Sequence, residues 1–301
     1  MSLLVVGSVA FDSIRTPYGR VEAIPGGSAT YFSVTASYFA PVNVVAVVGE
    51  DFGEEHLRLF RGRRIDLQGL EKAKGKTFRW RGEYAGDMNE AQTLETQLNV
   101  FESFAPKIPE AYLSSEFVFL GNIDPVLQLH VRKQLPNARL VACDTMNFWI
   151  KGKPFELKET LAAVDALVIN DGEARMLSGA KNLRCAAAEI HRLGPRIVIV
   201  KRGEYGACFF EGKCIFFAPA FPLEEVHDPT GAGDSFAGGF MGYLAREGDF
   251  SEAHLRRALV YGSVMASFAV EKFGLERLLS VDSRQIEERF REFKAMTHFD
   301  V

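Results

Sequence analysis

The chain has 301 residues, of which 47% are hydrophobic and 25% charged, an ordinary composition for a globular protein. A formal net charge of −4 gives no electrostatic reason to expect binding to nucleic acid or to an anionic membrane. No stretch reaches the roughly 18 uncharged apolar residues that a membrane span needs, and the N-terminus lacks the basic region of a signal peptide. We therefore expect a soluble, cytoplasmic protein.

Short apolar runs recur along the chain, and helix-like segments lie between them. The runs are Leu3–Val6, Val42–Val48, Phe117–Leu120, Leu140–Cys143, Ala166–Ile169 and Ile197–Val200, and the helix-like segments include Thr30–Phe39, Pro125–Gln134, Cys185–Leu193 and Glu252–Val270. Continuous Val, Ile and Leu runs are typical of strands buried on both faces. Their alternation with helices predicts an α/β fold with a central, mostly parallel sheet sandwiched by helices.

Two polar stretches, at about residues 12–24 and 77–101, interrupt that alternation. The second contains strand-like sequence around a Gly-Asp turn at Gly86 and Asp87. We interpret the two stretches as a small antiparallel β lid attached to a single domain over residues 1–301. An exposed lid sheet has edges and a face that seek cover, which favours a homodimer formed through the lid.

Polar residues follow the first strand and a nearby turn. Asp12 comes five residues after Gly7, just past the first strand, where open α/β sheets bind ligands. It either accepts hydrogen bonds from vicinal hydroxyls of a polyol or caps a turn. Gly26 and Gly27 precede a helix-like segment and either allow backbone to approach a ligand or form an ordinary loop.

Two further motifs follow strands later in the chain. Asn170 and Glu173 are placed either to hold phosphate oxygens and water bound to Mg²⁺ or to form a helix cap. Lys201 offers a point charge to phosphate, and Gly203 and Gly206 follow it in what is otherwise a plain turn into a hairpin.

The most informative segment runs from Asp228 to Phe240. Its small residues, Gly231, Ala232 and Gly233, stand where a turn meets an apolar helix-like stretch. Such a turn presents backbone N–H groups that no intrahelical carbonyl satisfies, and these form an anion site. Asp234 beside that site predicts a base that takes the proton of an attacking hydroxyl while a phosphoryl group is transferred.

The four cysteines lack the spacing of a metal site. They are Cys143, Cys185, Cys208 and Cys214. We expect them to be buried small side chains of a reducing cytosol.

Taken together, these motifs resemble the PfkB/ribokinase-like carbohydrate kinases over essentially the whole chain. The resemblance is carried by Gly7 with Asp12, Gly26-Gly27, Asn170-x-x-Glu173, Gly203-x-x-Gly206 and, most specifically, Asp228-x-Thr230-Gly-Ala-Gly-Asp234. It implies a phosphotransferase that uses ATP and Mg²⁺, and it implies the ribokinase-like fold.

The resemblance also implies a role for individual residues. Asp234 would be the catalytic base, and Gly231, Ala232 and Gly233 would form the anion hole for the migrating phosphoryl group. Asn170 and Glu173 match the magnesium and phosphate motif, while Lys201, Gly203 and Gly206 fall in the nucleotide-binding region. Asp228 and Thr230 match positions that bind an activating K⁺ in some members, and Gly262 lies in a helix that resembles the one beside adenine.

The substrate positions depart from the sugar kinases of that family. Many of these carry Asn where this chain has Tyr31, and members resembling ribokinase often carry Asn where it has Ala10. Tyr31, Phe11 and Trp80 either stack on a base or ring of the substrate or serve as packing. We expect a primary hydroxyl of a sugar as acceptor, with Asp12, Gly26, Gly27 and Tyr31 around it, and a nucleoside as the alternative.

Two other classes of protein fit the sequence less well. A sensor that kept the fold but lost turnover would be expected to lose its base or anion hole first, and both are intact here. A dinucleotide-dependent oxidoreductase is disfavoured because the first strand leads into Gly7-Ser-Val-Ala-Phe-Asp12, without the glycine fingerprint for a pyrophosphate.

Overall fold

Two β-sheets organise the chain in the computed structural model, which describes residues 1–86, 88–89 and 91–298. In chain order the strands are β1 (Leu3–Val6), β2 (Ala10–Thr16), β3 (Gly19–Gly26), β4 (Val42–Val48), β5 (Ile65–Lys72), β6 (Phe78–Tyr84), β7 (Ala91–Gln97), β8 (Phe117–Leu120), β9 (Leu140–Asp144), β10 (Ala166–Asn170), β11 (Ile197–Lys201), β12 (Ala207–Glu211) and β13 (Cys214–Ala218).

Helices connect and cover these strands. They are α1 (Ser28–Ala36), α2 (Glu54–Leu57), α3 (Pro125–Gln134), α4 (Asn147–Gly152), α5 (Pro154–Leu161), α6 (Asp171–Ser178), α7 (Leu183–Leu193), α8 (Ala232–Glu247), α9 (Glu252–Ala269), α10 (Glu276–Ser280) and α11 (Ser283–Thr297). Short 3₁₀ turns span Asn99–Ser103, Glu110–Tyr112 and Gly203–Tyr205.

The large sheet has nine strands in the order β13-β12-β11-β10-β9-β8-β1-β4-β5. Every pairing from β11 to β5 is parallel, and β12 and β13 add an antiparallel hairpin at one edge. All six apolar runs form strands of this sheet, which confirms the predicted α/β architecture. Strand β5 has no apolar run that would predict it, because its residues are half-buried or exposed at the sheet edge.

Helices bury both faces of the large sheet. One face packs against α1, α8, α9, α10 and α11, and the other packs against α3, α4, α5, α6 and α7. Strand residues such as Val5 and Val6 point to opposite cores, as the period of two in a strand requires. Burial on both faces is the physical reason why these strands lack polar alternation.

The small sheet has the order β3-β2-β6-β7 and contains both interrupting stretches. Its β2–β3 and β6–β7 pairings are antiparallel, as expected, while β2 and β6 run parallel at the centre. Every residue of β7 is exposed. In the predicted Gly-Asp turn, Gly86 has φ +63° and Asp87 lies outside the described residues.

The expectation that the cysteines are buried was correct for Cys143 and Cys208 and wrong for Cys185, which is exposed on α7. Cys214 is half-buried, because it lies on the edge strand β13. Across residues 1–86, 88–89 and 91–298, none of the helices has the length and apolar character required to cross a bilayer.

Candidate active site

The small-residue turn forms the start of α8. Gly231 is the N-cap residue, with φ +73°, a backbone conformation that L side chains rarely adopt. A methyl group added at Gly231 would overlap the ring of Tyr31, which packs directly on the turn. Gly233 and Asp234 lie in the first turn of α8, where N–H groups have no intrahelical acceptor. Of the three residues predicted to form the anion hole, Ala232 already uses its N–H, which donates to the Pro229 carbonyl oxygen 3.1 Å away.

Asp234 is half-buried at this turn. Burial raises the pKa of its carboxyl to about 7, the charge of Asp144 raises it as well, and the charge of Lys201 lowers it. A carboxyl with a pKa near neutrality is well matched to accepting a proton from a hydroxyl at physiological pH.

Lys201 lies at the carboxyl end of β11 and points to the same turn. Its Nζ atom would lie 2.8 Å from a methyl group added at Gly233, and it lies 3.4 Å from Oδ2 of Asp144. Burial alone would lower the pKa of Lys201, but the charges of Asp144, Glu173 and Asp234 outweigh burial and raise it. A half-buried ammonium group therefore lies against the anion site.

Asn170 and Glu173 form the capping box that was one of the two predicted alternatives. The N–H of Glu173 donates to the Asn170 side chain at 2.7 Å, and the N–H of Asn170 donates to Glu173 Oε2 at 3.0 Å. Burial raises the pKa of Glu173 to about 7, and the nearby charge of Asp144 adds to this. Because a cation would stabilise the ionised form of the Glu173 carboxyl, the arrangement fits Mg²⁺, and the capping role does not exclude it.

The carboxyl of Asp12 is also buried, with 4% of the residue exposed, and the charge of Asp234 acts on it. Its Oδ2 accepts the N–H of Gly27 at 3.4 Å, and a methyl group added at Gly26 would overlap it. Burial raises the pKa of Asp12 to about 7, the Gly27 hydrogen bond lowers it, and the charges of Asp228 and Asp234 raise it. Gly26 and Gly27 thus bring backbone against this carboxyl.

Tyr31 is 1% exposed, and its hydroxyl has no hydrogen-bond partner among the described residues. Burial raises its pKa well above the usual value, and the charge of Asp12 contributes most among its neighbours. Phe11 packs against Phe52 and His56 and is a core residue rather than a candidate for stacking. Trp80 is half-buried beside Asp12 in the β2–β6 pairing, and its Nε1 donates to Thr93 Oγ1 at 3.2 Å.

The Asp228 carboxylate is fully buried and anchors two loops. Its two oxygens accept the N–H groups of Thr230 and Gly274, each at 2.9 Å. The Thr230 hydroxyl in turn donates to the Tyr84 hydroxyl of β6, 3.3 Å away, which joins the small sheet to the turn. The predicted role of Asp228 and Thr230 in binding K⁺ stays a prediction.

The remaining predicted glycines serve the shape of the fold. Gly203 and Gly206 bound the 3₁₀ turn between β11 and β12. Gly262 lies where α9 crosses α8, and a methyl group there would come within 2.9 Å of the Phe236 carbonyl oxygen. Contact of these glycines with a nucleotide stays a prediction.

Two residues of this site were missed in the sequence. Asp144 comes directly after the apolar run Leu140–Cys143, and the strand-end position that identified Asn170 and Lys201 would have identified it too. Tyr84 was hidden inside the lid stretch, and no local pattern indicates its contact with Thr230.

Comparison with known proteins matches residues 1–281 to the family described as pfkB family carbohydrate kinase. A cytidine kinase from Thermococcus kodakarensis is 32% identical over 82% of this chain and 89% of its own length. A nucleoside kinase from Methanothermobacter thermautotrophicus is 24% identical over 96% of this chain and 95% of its own. Among solved structures, a putative ribokinase II from E. coli in complex with ATP and Mg²⁺ has a TM-score of 0.79 at 18% identity, covering 97% of this chain and 99% of that one.

Proposed function

The chain belongs to the pfkB family of carbohydrate kinases, and on that premise we propose that it transfers the γ-phosphoryl group of ATP to the primary hydroxyl of a nucleoside. The observation that carries the proposal is the position of Asp234 in the first turn of α8, with the Lys201 ammonium against the same turn. A base and a cation beside free backbone N–H groups are the parts that phosphoryl transfer to an alcohol requires.

In the proposed reaction Asp234 accepts the proton of the attacking hydroxyl. The N–H groups at the start of α8 and the Lys201 ammonium stabilise negative charge on the transferring group. Asn170 and Glu173 would hold Mg²⁺ through its water molecules, and that ion supplies charge neutralisation on the phosphates of ATP. Asp12 orients the acceptor, because a buried carboxylate can accept hydrogen bonds from two neighbouring hydroxyls.

A nucleoside is favoured over a free sugar by two observations. The relative that is 32% identical over most of its length acts on cytidine, as its name states. Tyr31 is a buried phenol at the position where many sugar kinases of the family have an amide, so the amide that contacts sugar hydroxyls in those kinases is absent here. A sugar such as ribose remains the second candidate, since Asp12 would bind the vicinal hydroxyls of either acceptor.

The small sheet is proposed as the lid of this site. The hydrogen bond between Tyr84 and Thr230 joins it to the catalytic turn, and closure would exclude water, which competes with the acceptor. The exposed edge strand β7 supports the further proposal of a homodimer formed through the lid, which sedimentation velocity would test.

The test is a panel of acceptors with Mg·ATP, in which ADP release is measured. The panel contains cytidine, uridine, adenosine, inosine, ribose, fructose and myo-inositol. We expect the largest kcat/KM for a nucleoside, and a product whose phosphorus signal couples to the two protons of a CH2 group. Turnover of free sugars alone would overturn the nucleoside assignment, and ADP release that no acceptor stimulates would overturn the kinase assignment.

A further inference from the structure

Asp144 is a buried carboxylate in the middle of the site to which the proposed reaction gives no task. It is the last residue of β9, and its Oδ1 accepts the N–H of Thr145 at 2.7 Å. Its backbone is also held, because the buried side chain of Gln128 donates to the carbonyl oxygens of Asp144 and Gly121 at 2.9 and 2.8 Å. The position of the Asp144 carboxylate is therefore fixed both by its own hydrogen bond and by the hydrogen bond to its backbone.

The second oxygen of Asp144 faces Lys201. The ion pair spans 3.4 Å between Asp144 Oδ2 and Lys201 Nζ, and Lys201 has little exposed surface. The same Nζ atom lies against Gly233 at the anion site. Asp144 thus fixes the ammonium group at the place where the transferring phosphoryl group would be stabilised.

Other carboxylates compete for this ammonium group. The charges of Glu173 and Asp234 both act on Lys201 besides that of Asp144. If Lys201 paired with Asp234 instead, the proposed base would have a cation beside it and would bind a proton less strongly. An ammonium group drawn toward Asp234 would also leave the anion site, and a displacement of about 1 Å can cost on the order of 10²-fold in rate.

We propose that Asp144 is a positioning residue for phosphoryl transfer, whose carboxylate holds the Lys201 ammonium against the turn at Gly233 and away from Asp234. This proposal rests on the proposed function, because it requires that a phosphoryl group is transferred at the turn beside Gly233. It adds a residue that has no direct contact with substrate.

The proposal predicts an unusual pattern of double-mutant effects. Lys201→Met removes the cation that lowers the pKa of Asp144. At a pH that keeps this carboxylate ionised, it is buried and unpaired beside the transferring phosphoryl group and repels negative charge. Asp144→Asn in that background removes the repulsion. The double variant should therefore be faster than Lys201→Met alone, although each single change slows the enzyme.

The experiment measures kcat and KM for ATP in wild type, Asp144→Asn, Lys201→Met and the double variant, below the melting temperature of all four. The asparagine keeps an oxygen that accepts the Thr145 N–H. We expect kcat to fall ~10- to 100-fold in Asp144→Asn without a rise in KM for ATP, because the site loses negative charge. For Lys201→Met we expect a loss of ~10²- to 10³-fold, of which the second substitution restores about tenfold.

A matched control is Asp165→Asn. Asp165 also accepts a backbone N–H, that of Val141 at 2.8 Å, but it lies at the opposite end of the sheet. This variant should keep wild-type kcat. The positioning role of Asp144 would be overturned if the fold-losses in kcat of the two single variants multiplied in the double variant. It would also be overturned if Asp144→Asn kept wild-type kcat.

Failure of this inference can be distinguished from failure of the proposed function. The kinetic comparison of the four proteins uses whichever acceptor of the panel gives the largest turnover. If that acceptor is a sugar, only the nucleoside assignment is overturned. A calorimetric comparison of Mg·AMP-PNP with Mg·ADP needs no acceptor. In that comparison Lys201→Met should weaken the binding of Mg·AMP-PNP more than the binding of Mg·ADP. The double variant should recover part of the lost affinity for Mg·AMP-PNP. Equal affinity ratios in all four proteins would overturn the role of Asp144.

Discussion

The nucleotide side and the acceptor side of the site differ in how their polar groups are compensated. On the nucleotide side Lys201 pairs with Asp144, and Asn170 and Glu173 satisfy one another in a capping box. On the acceptor side, within the described residues, Asp12 accepts the N–H of Gly27 alone, at 3.4 Å, and the Tyr31 hydroxyl has no partner.

The charged and amide groups of the nucleotide side are therefore paired before ligands bind. A buried polar group without a partner costs about 1–3 kcal/mol, so the acceptor side carries a cost that hydroxyls of a bound polyol would relieve. On the nucleotide side Asn170 and Glu173 carry no such cost, although the buried hydroxyl of Thr145, next to Asp144, also lacks a partner among the described residues. We therefore expect substitutions on the two sides to separate cleanly into effects on turnover and effects on acceptor binding.

The largest expected effect is that of Asp234→Asn, on the boundary between the two sides. Loss of the base should lower kcat by ~10²- to 10⁴-fold, while the affinity for Mg·ATP measured by calorimetry stays within a few-fold of wild type. Wild-type turnover in a variant that binds ATP would refute the role of Asp234 as the base.

A smaller effect is expected for Asp12→Asn, which probes the acceptor side. Replacing a charged acceptor by an amide weakens hydrogen bonds of about 1.5–3 kcal/mol, so KM for the acceptor should rise ~10- to 100-fold. KM for ATP should not change. Steady-state kinetics with each substrate varied in turn check this, and an equal rise in both KM values would mean that the two sides are not separate.

The smallest expected effect is that of pH, which acts on the carboxyls of both Asp234 and Asp12. Burial raises the pKa of Asp234 and of Asp12 to about 7 each. Both must be ionised for the proposed roles, so protonation below that pH removes activity. Between pH 8 and pH 6 we expect kcat to fall about tenfold and kcat/KM for the acceptor to fall more steeply.

The control for that profile is Asp12→Asn, in which kcat/KM should follow a single ionisation. The two carboxyls interact, so the wild-type profile reports pKa values of the pair rather than of either residue. A kcat that is constant from pH 8 to pH 6 would contradict an Asp234 base with a pKa near 7.

Local sequence was sufficient for most of the fold and for one half of the site. The apolar runs identified the buried strands because burial on both faces excludes polar residues. Pro125–Gln134 was predicted with its observed bounds, since Pro at the first turn marks the start of a helix. Strand β5 was missed because an edge strand that is partly exposed to solvent lacks the continuous apolar run of a buried strand.

The acceptor side was harder to predict because its contacts join distant segments. The sequence leaves Tyr31 open between substrate contact and packing, and its ring packs on Gly231, 200 positions further along the chain by their numbers. Of the two roles that the sequence left open for Phe11, stacking or packing, the structure shows packing in the core beside Phe52. No local pattern distinguishes an aromatic side chain that contacts a ligand from one that packs.

The sequence by itself determined the small-residue turn with its aspartate, because Gly231 and the first turn of α8 need only local geometry to expose N–H groups. Only the tertiary structure decided what surrounds that turn. Asp144 and Lys201 are 57 residues apart in the chain and meet because β9, β10 and β11 lie side by side in parallel, with their carboxyl ends at one edge. Strand order is fixed by the packing of the whole sheet, so the pairing that positions the ammonium group at the turn cannot be read from either segment alone.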